Sequence, residues 1–114
     1  MRIEKYRFGK MVIDGKEFTK DLKILPPTIA ENWWRREGHK LHLEDIQDIL
    51  QYNPEVLVVG TGAYGFMKVL PEVEEELRRR EIHLIAEKTS RAVEIFNQLH
   101  GEGKKVCAAF HLTC

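Results

Sequence analysis

Residues 56–62, Val56-Leu57-Val58-Val59-Gly60-Thr61-Gly62, decide the fold class. Four consecutive aliphatic residues, three of them β-branched, read as a short strand covered on both faces, as in an α/β sheet. The glycines end it in a sharp turn. Upstream, Leu43, Ile46, Ile49 and Leu50 are spaced for one face of a helix, with Glu44 and Asp45 in the first turn and Asn53-Pro54 as the stop. Downstream, Pro71 suits a first helical turn, and Val73 and Leu77 with Leu70 form a narrow apolar stripe. Residues 83–86 read as a second buried strand. Thr89 or Ser90 is expected to cap a helix that faces Ala92, Val93, Phe96 and Leu99 inward and closes near Gly101. Residues 106–112 read as a last strand. The second half is therefore strand-helix-strand-helix-strand. The first half is β: Asp14-Gly15 is a hairpin signal, residues 21–25 alternate and stop at Pro26-Pro27, and residues 28–34 read as a further strand before a basic turn.

At 114 residues the chain is expected to form one α/β domain, 1–114. Its 18 Lys+Arg balance 18 Asp+Glu, which removes the electrostatic case for nucleic acid or anionic membrane. No apolar run approaches the ~20 residues of a membrane span, and Met1-Arg2-Ile3-Glu4-Lys5 does not resemble a secretion signal, so the expected location is cytoplasmic. Glutamate outnumbers aspartate 14 to 4, and Asn and Gln number only three each, a composition that predicts thermostability. Glu74, Glu75 and Glu76 precede Arg78, Arg79 and Arg80 by four residues, the favourable order for helical ion pairs.

The V-L-V-V-G-T-G phrase has companions in order along the chain. They are Leu25-Pro26 followed by Trp33-Trp34, Thr89 opening a helix with Ala92, Phe96, Asn97 and Leu99, then Glu102-Gly103 and the ending His111-Leu112-Thr113-Cys114. Together they resemble a family of small prokaryotic proteins of unknown function whose eukaryotic relatives include the mitochondrial complex I assembly factor 3 and an adipogenesis-associated protein. The resemblance implies three layers around a mixed five-stranded central sheet with the last strand antiparallel to the others. It marks Gly60, Thr61, Gly62, Trp34, Thr89, Asn97 and Gly103 but supplies no catalytic residues.

Gly60-Thr61-Gly62-Ala63-Tyr64-Gly65 spells G-x-G-x-x-G after a strand, and Glu87 stands where a ribose-binding acid would fall. Four residues separate Gly65 from the next helix start, Leu70-Pro71, so its amides cannot serve this turn, and the reading is a tight strand exit with no cofactor. No metal site is expected: Cys107 and His111 lie roughly 13 Å apart on an extended strand. Cys107 reads as a buried hydrophobe, Cys114 as a free thiol, His42 as a helix cap, and His83 and His111 as satisfied structural histidines. No nucleophile-and-base pair stands out, so catalysis is not indicated. Trp33, Trp34, Arg35 and Arg36 combine aromatic and basic groups as a partner surface does, with at least one indole exposed.

The leading expectation is a protein–protein interaction domain of assembly-factor type with a protein partner. The alternative is a small-molecule or anion site, either a binding protein's or an enzyme's, at Gly60, Thr61 and Gly62. If the last strand runs antiparallel, Gly103, Lys104 and Lys105 approach that turn and the Thr89-Ser90 helix start, making an anion cradle.

Overall fold

Asp14 and Gly15 both take positive φ (48° and 81°), the backbone of a tight hairpin turn that few residue pairs tolerate. They join β2 (Lys10–Ile13) to β3 (Lys16–Phe18), and β1 (Ile3–Arg7) pairs antiparallel with β2, completing a small three-stranded sheet. The computed structural model describes residues 1–114. A turn with a cis Pro26–Pro27 bond connects β4 (Leu22–Leu25) to β5 (Thr28–Ala30). Trp33 and Trp34, expected at the end of this strand, lie beyond it in an irregular segment.

The remaining elements are β6 (Lys40–Leu41), a 3-10 turn (Leu43–Ile46) running into α1 (Gln47–Tyr52), β7 (Val56–Gly60), β8 (Lys68–Val69), α2 (Pro71–Arg79), β9 (His83–Glu87), α3 (Thr89–Gly101) and β10 (Val106–Phe110). The central sheet has the order β5-β4-β10-β7-β9. β7, β9 and β10 are parallel to one another, and β4 runs antiparallel to β10. The expectation for the last strand therefore holds only toward β4. The chain leaves the carboxyl end of β9, and α3 carries it back to the end of the sheet where β9 began, as a parallel crossover requires, so β10 starts beside Val56 rather than beside Gly60.

Two cores sandwich the sheet. Phe96, Ala92 and Val93 of α3 meet Met11, Ile13, Val58, Ala108 and Phe110 on one face. Ile49, Val73 and Leu77 meet Leu57, Val59, Cys107, Ala109 and Trp33 on the other. Alternate residues of β7 and β10 feed opposite cores, which explains their uninterrupted apolar sequence. The second strand of the sequence reading, β9, differs: it is the sheet's edge, with Leu84 and Ile85 half-buried and His83, Ala86 and Glu87 exposed. On α2 the ion pairs close mostly at three residues rather than four. Arg78 turns to Glu75, and Arg79 and Arg80 both bind Glu76, holding its carboxyl down to about 2.

Candidate functional site

At the carboxyl ends of β7 and β9 the backbone must pass close to α3. A side chain at Gly60 would press within 2.6 Å of Phe110 and 2.8 Å of the Thr89 hydroxyl, so only glycine fits. Thr61 N–H donates to Glu87 C=O (2.9 Å), and Gly62 N–H donates to Thr89 Oγ1 (2.9 Å). The Thr89 hydroxyl in turn donates to His111 C=O (2.7 Å). Ala63 and Phe66 N–H donate to Thr113 and Cys114 C=O (2.6 and 2.9 Å). Residues 111–114 thus occupy the space beyond the strand ends where open α/β sheets hold ligands. The amides of Thr61, Gly62, Ala63 and Phe66 are therefore committed within the chain.

Thr89 is not a cap, since it sits at the first helical position with its side chain turned back into the sheet, and the flanking residue Lys88 makes no side-chain cap. Ser90 is exposed at the same helix start. The structure brings Gly60, Thr61, Gly62 and Thr89 together but not Gly103 or Lys104. Those two lie at the opposite end of the sheet, where Lys105 N–H meets the Glu55 carboxylate (2.9 Å), because β10 enters parallel to β7.

The tryptophan–arginine segment divides. Trp33 is buried, donating from Nε1 to Asp45 C=O (3.0 Å), while Trp34 is 88% exposed. Arg35 stacks on the Trp33 ring (4.7 Å to the centroid), and its side chain, 4% exposed, pairs with Asp21 (2.7 Å) and Gly38 C=O (2.7 Å). Arg36 lies on the surface, paired with Glu44 (3.1 Å). Trp34 and Arg36 alone of the four residues remain available to a partner. His42 flanks the 3-10 turn as expected, but its ring bonds Glu37 (2.6 Å), and the reciprocal Asp45 carboxylate caps the His42 N–H (2.8 Å).

Beneath this surface lies a buried polar cluster the sequence reading missed. Asp21 accepts from Arg35, from Leu112 N–H (2.7 Å) and from the His111 ring at Nδ1 (2.8 Å). Burial pushes the Asp21 carboxyl up, but the His111, Leu112 and Arg35 hydrogen bonds outweigh it and hold the group below its ordinary value. His111 Nε2 is buried without a partner, so this histidine is only half satisfied. Burial drives the Cys107 thiol up to about 12, which leaves it inert.

A cleft of about 400 Å³ opens above the cluster, lined by Lys20, Asp21, Trp34, Arg35, Gly38 and Thr113 among others. Beside it runs an aromatic band from Phe8 to Tyr64 (5.8 Å between ring centroids), Phe66 (6.0 Å), His39 (6.0 Å) and down to His111 (5.6 Å). Phe8, Tyr64 and Phe66 are each more than half exposed. The signal in the sequence was Tyr64-Gly65-Phe66: aromatic residues on a glycine loop have no strand or helix face to hide in.

A conserved hypothetical protein of Pyrococcus horikoshii OT3 has the same fold, with a TM-score of 0.84 and 35% identity over 100% of both chains. A Bartonella henselae chain described as an outer membrane protein is similar at 24% identity and a TM-score of 0.83, over 98% of this chain and 94% of that one. A Bordetella pertussis protein described as an Mth938-like domain aligns at 22% identity and 0.70, over 97% and 85%. No helix is long and apolar enough to cross a membrane. The sequence pattern of the family described as protein of unknown function (DUF498/DUF598) matches residues 3–111, and the chain belongs to that family.

Proposed function

We propose that the protein works by holding a protein partner, in the manner of an assembly factor, and that the aromatic band is its docking surface. The observation that carries this reading is the contiguous exposure of Phe8, Tyr64 and Phe66, with Trp34 also exposed across the neighbouring cleft. Exposed large aromatics are costly to leave in water and supply most of the energy where interfaces form. Lys68 and Lys88, exposed beside the Tyr64–Phe66 loop and free of ion pairs, favour a partner that surrounds apolar anchors with carboxylates. The cytoplasm suits two unpaired cysteines. An anion or small-molecule site at Gly60-Thr61-Gly62 has less support, because the Thr61 and Gly62 amides already bond Glu87 C=O and the Thr89 hydroxyl.

The test is quantitative affinity capture from native lysate with the wild type and a Tyr64→Ser/Phe66→Ser variant. Binding of the captured protein is then repeated with purified components. A partner retained by the wild type and released by the variant is the expected result. Identical captured sets would overturn the reading.

A further inference from the structure

We propose that two copies of this chain join through β9, edge to edge and antiparallel, into a continuous ten-stranded sheet. This rests on the sheet edge and not on the aromatic band. His83 N–H donates to Glu55 C=O (3.0 Å), and Glu87 C=O accepts from Thr61 N–H (2.9 Å). The backbones of residues 83, 85 and 87 therefore face β7, and those of Leu84 and Ala86 point out of the sheet with no partner in the chain.

Nothing blunts this edge. The strand His83-Leu84-Ile85-Ala86-Glu87 holds no proline and no lysine, and its register against β7 has no bulge. The opposite edge, β5, is only three residues long.

The strand is also complementary to itself. A two-fold axis at Ile85 sets Leu84 of one copy opposite Ala86 of the other, so their outward N–H and C=O groups form four hydrogen bonds. Ile85 then faces its own copy in the closely spaced, non-bonded pair, covering a side chain that is half-exposed in the single chain. His83 meets Glu87 on either side of it, an imidazole against a carboxylate at both ends. Next to the strand on the α2 side, a groove of about 310 Å³ lies between Glu74, Leu77, Arg78 and Leu84. It offers both charges to the same groove on the second copy. A different protein adding a strand would use the same backbone groups, but only a second copy supplies the His83–Glu87 match at both ends.

The experiment is sedimentation equilibrium of the purified chain, with Ala86→Pro as the disrupting variant. The Ala86 N–H makes no internal bond, so proline there leaves the β7–β9 ladder intact. The wild type is expected at twice 13.3 kDa and Ala86→Pro at 13.3 kDa with an unchanged circular dichroism spectrum. Ile85→Cys should cross-link on oxidation, and the Leu84 and Ala86 amides should be protected from hydrogen exchange in the wild type. The Tyr64→Ser/Phe66→Ser variant should remain dimeric, which separates this inference from the docking reading. A wild type that stays monomeric at high concentration, a dimer that survives Ala86→Pro, or rapid exchange at Leu84 and Ala86 would overturn it.

Discussion

Thr89 shows how much one hydroxyl can organise. It accepts from Gly62 N–H and donates to His111 C=O, joining a turn, a helix start and the segment after β10. Thr89→Val keeps the shape and leaves two buried backbone groups without partners, so it should destabilise by about 2–4 kcal/mol. Thr89→Ser keeps the hydroxyl and should cost only about 1 kcal/mol for the lost methyl. Urea denaturation of the two variants makes the comparison. Asp21 gives a pH prediction. Its carboxyl titrates lower in the folded chain than in the unfolded one, so its stabilisation is complete above the ordinary value of 3.8 and disappears as pH falls through the folded value. Asp21→Asn leaves the buried Arg35 without its counter-charge and should cost about 3 kcal/mol at neutral pH. That deficit should shrink below about pH 4, as the wild-type carboxyl protonates. Equal acid sensitivity of the two chains would contradict this account of the cluster. Neither residue could be assigned its role from sequence, because the partners of each lie far along the chain.

At the scale of elements, the short-range signals were readable. Asp14-Gly15 dictates its own turn, and the aliphatic run of β7 announces two covered faces. What failed depends on closure. The direction of β10 follows from where α3 returns the chain, and the exposure of β9 follows from its place in the strand order, neither of which has a local signature. Leu84-Ile85-Ala86 is as apolar as a buried strand because each face is half-covered by a different layer. The small N-terminal sheet packs its apolar face into the α3-side core, and a polar contact distant in sequence fixes its first strand. Asn97 of α3 accepts from Ile3 N–H (2.9 Å) and donates to Ile3 C=O (2.7 Å), taking the place of a pairing strand. Asn97→Ala should destabilise the protein by about 2 kcal/mol. It should also raise hydrogen exchange in β1 and β2 before the central sheet is affected. Uniform acceleration across both sheets would show that the contact does not hold the layers together.

At the scale of the whole molecule, the composition predicts a melting temperature above the ~45–65 °C common for mesophilic domains. The surface charge networks on α2 point the same way. Differential scanning calorimetry with reversible unfolding inside that range would refute it. The α/β class was legible because hydrophobic period and turn chemistry agreed along the chain; the polar cluster beneath the cleft was not, because Asp21, Arg35 and His111 come from three separated segments. The strand order carries a kinetic consequence. β4 with β5, and β7 with β9, are two ribbons that share no ladder until β10 slides between them, and β10 is the latest of the five in sequence. Its pairing of Ala108 with Ile24 closes a loop containing most of the chain, so the rate-limiting step of folding should be the insertion of this middle strand. Conservative substitutions along β10 should slow refolding, whereas those in the Asp14-Gly15 hairpin should mainly speed unfolding.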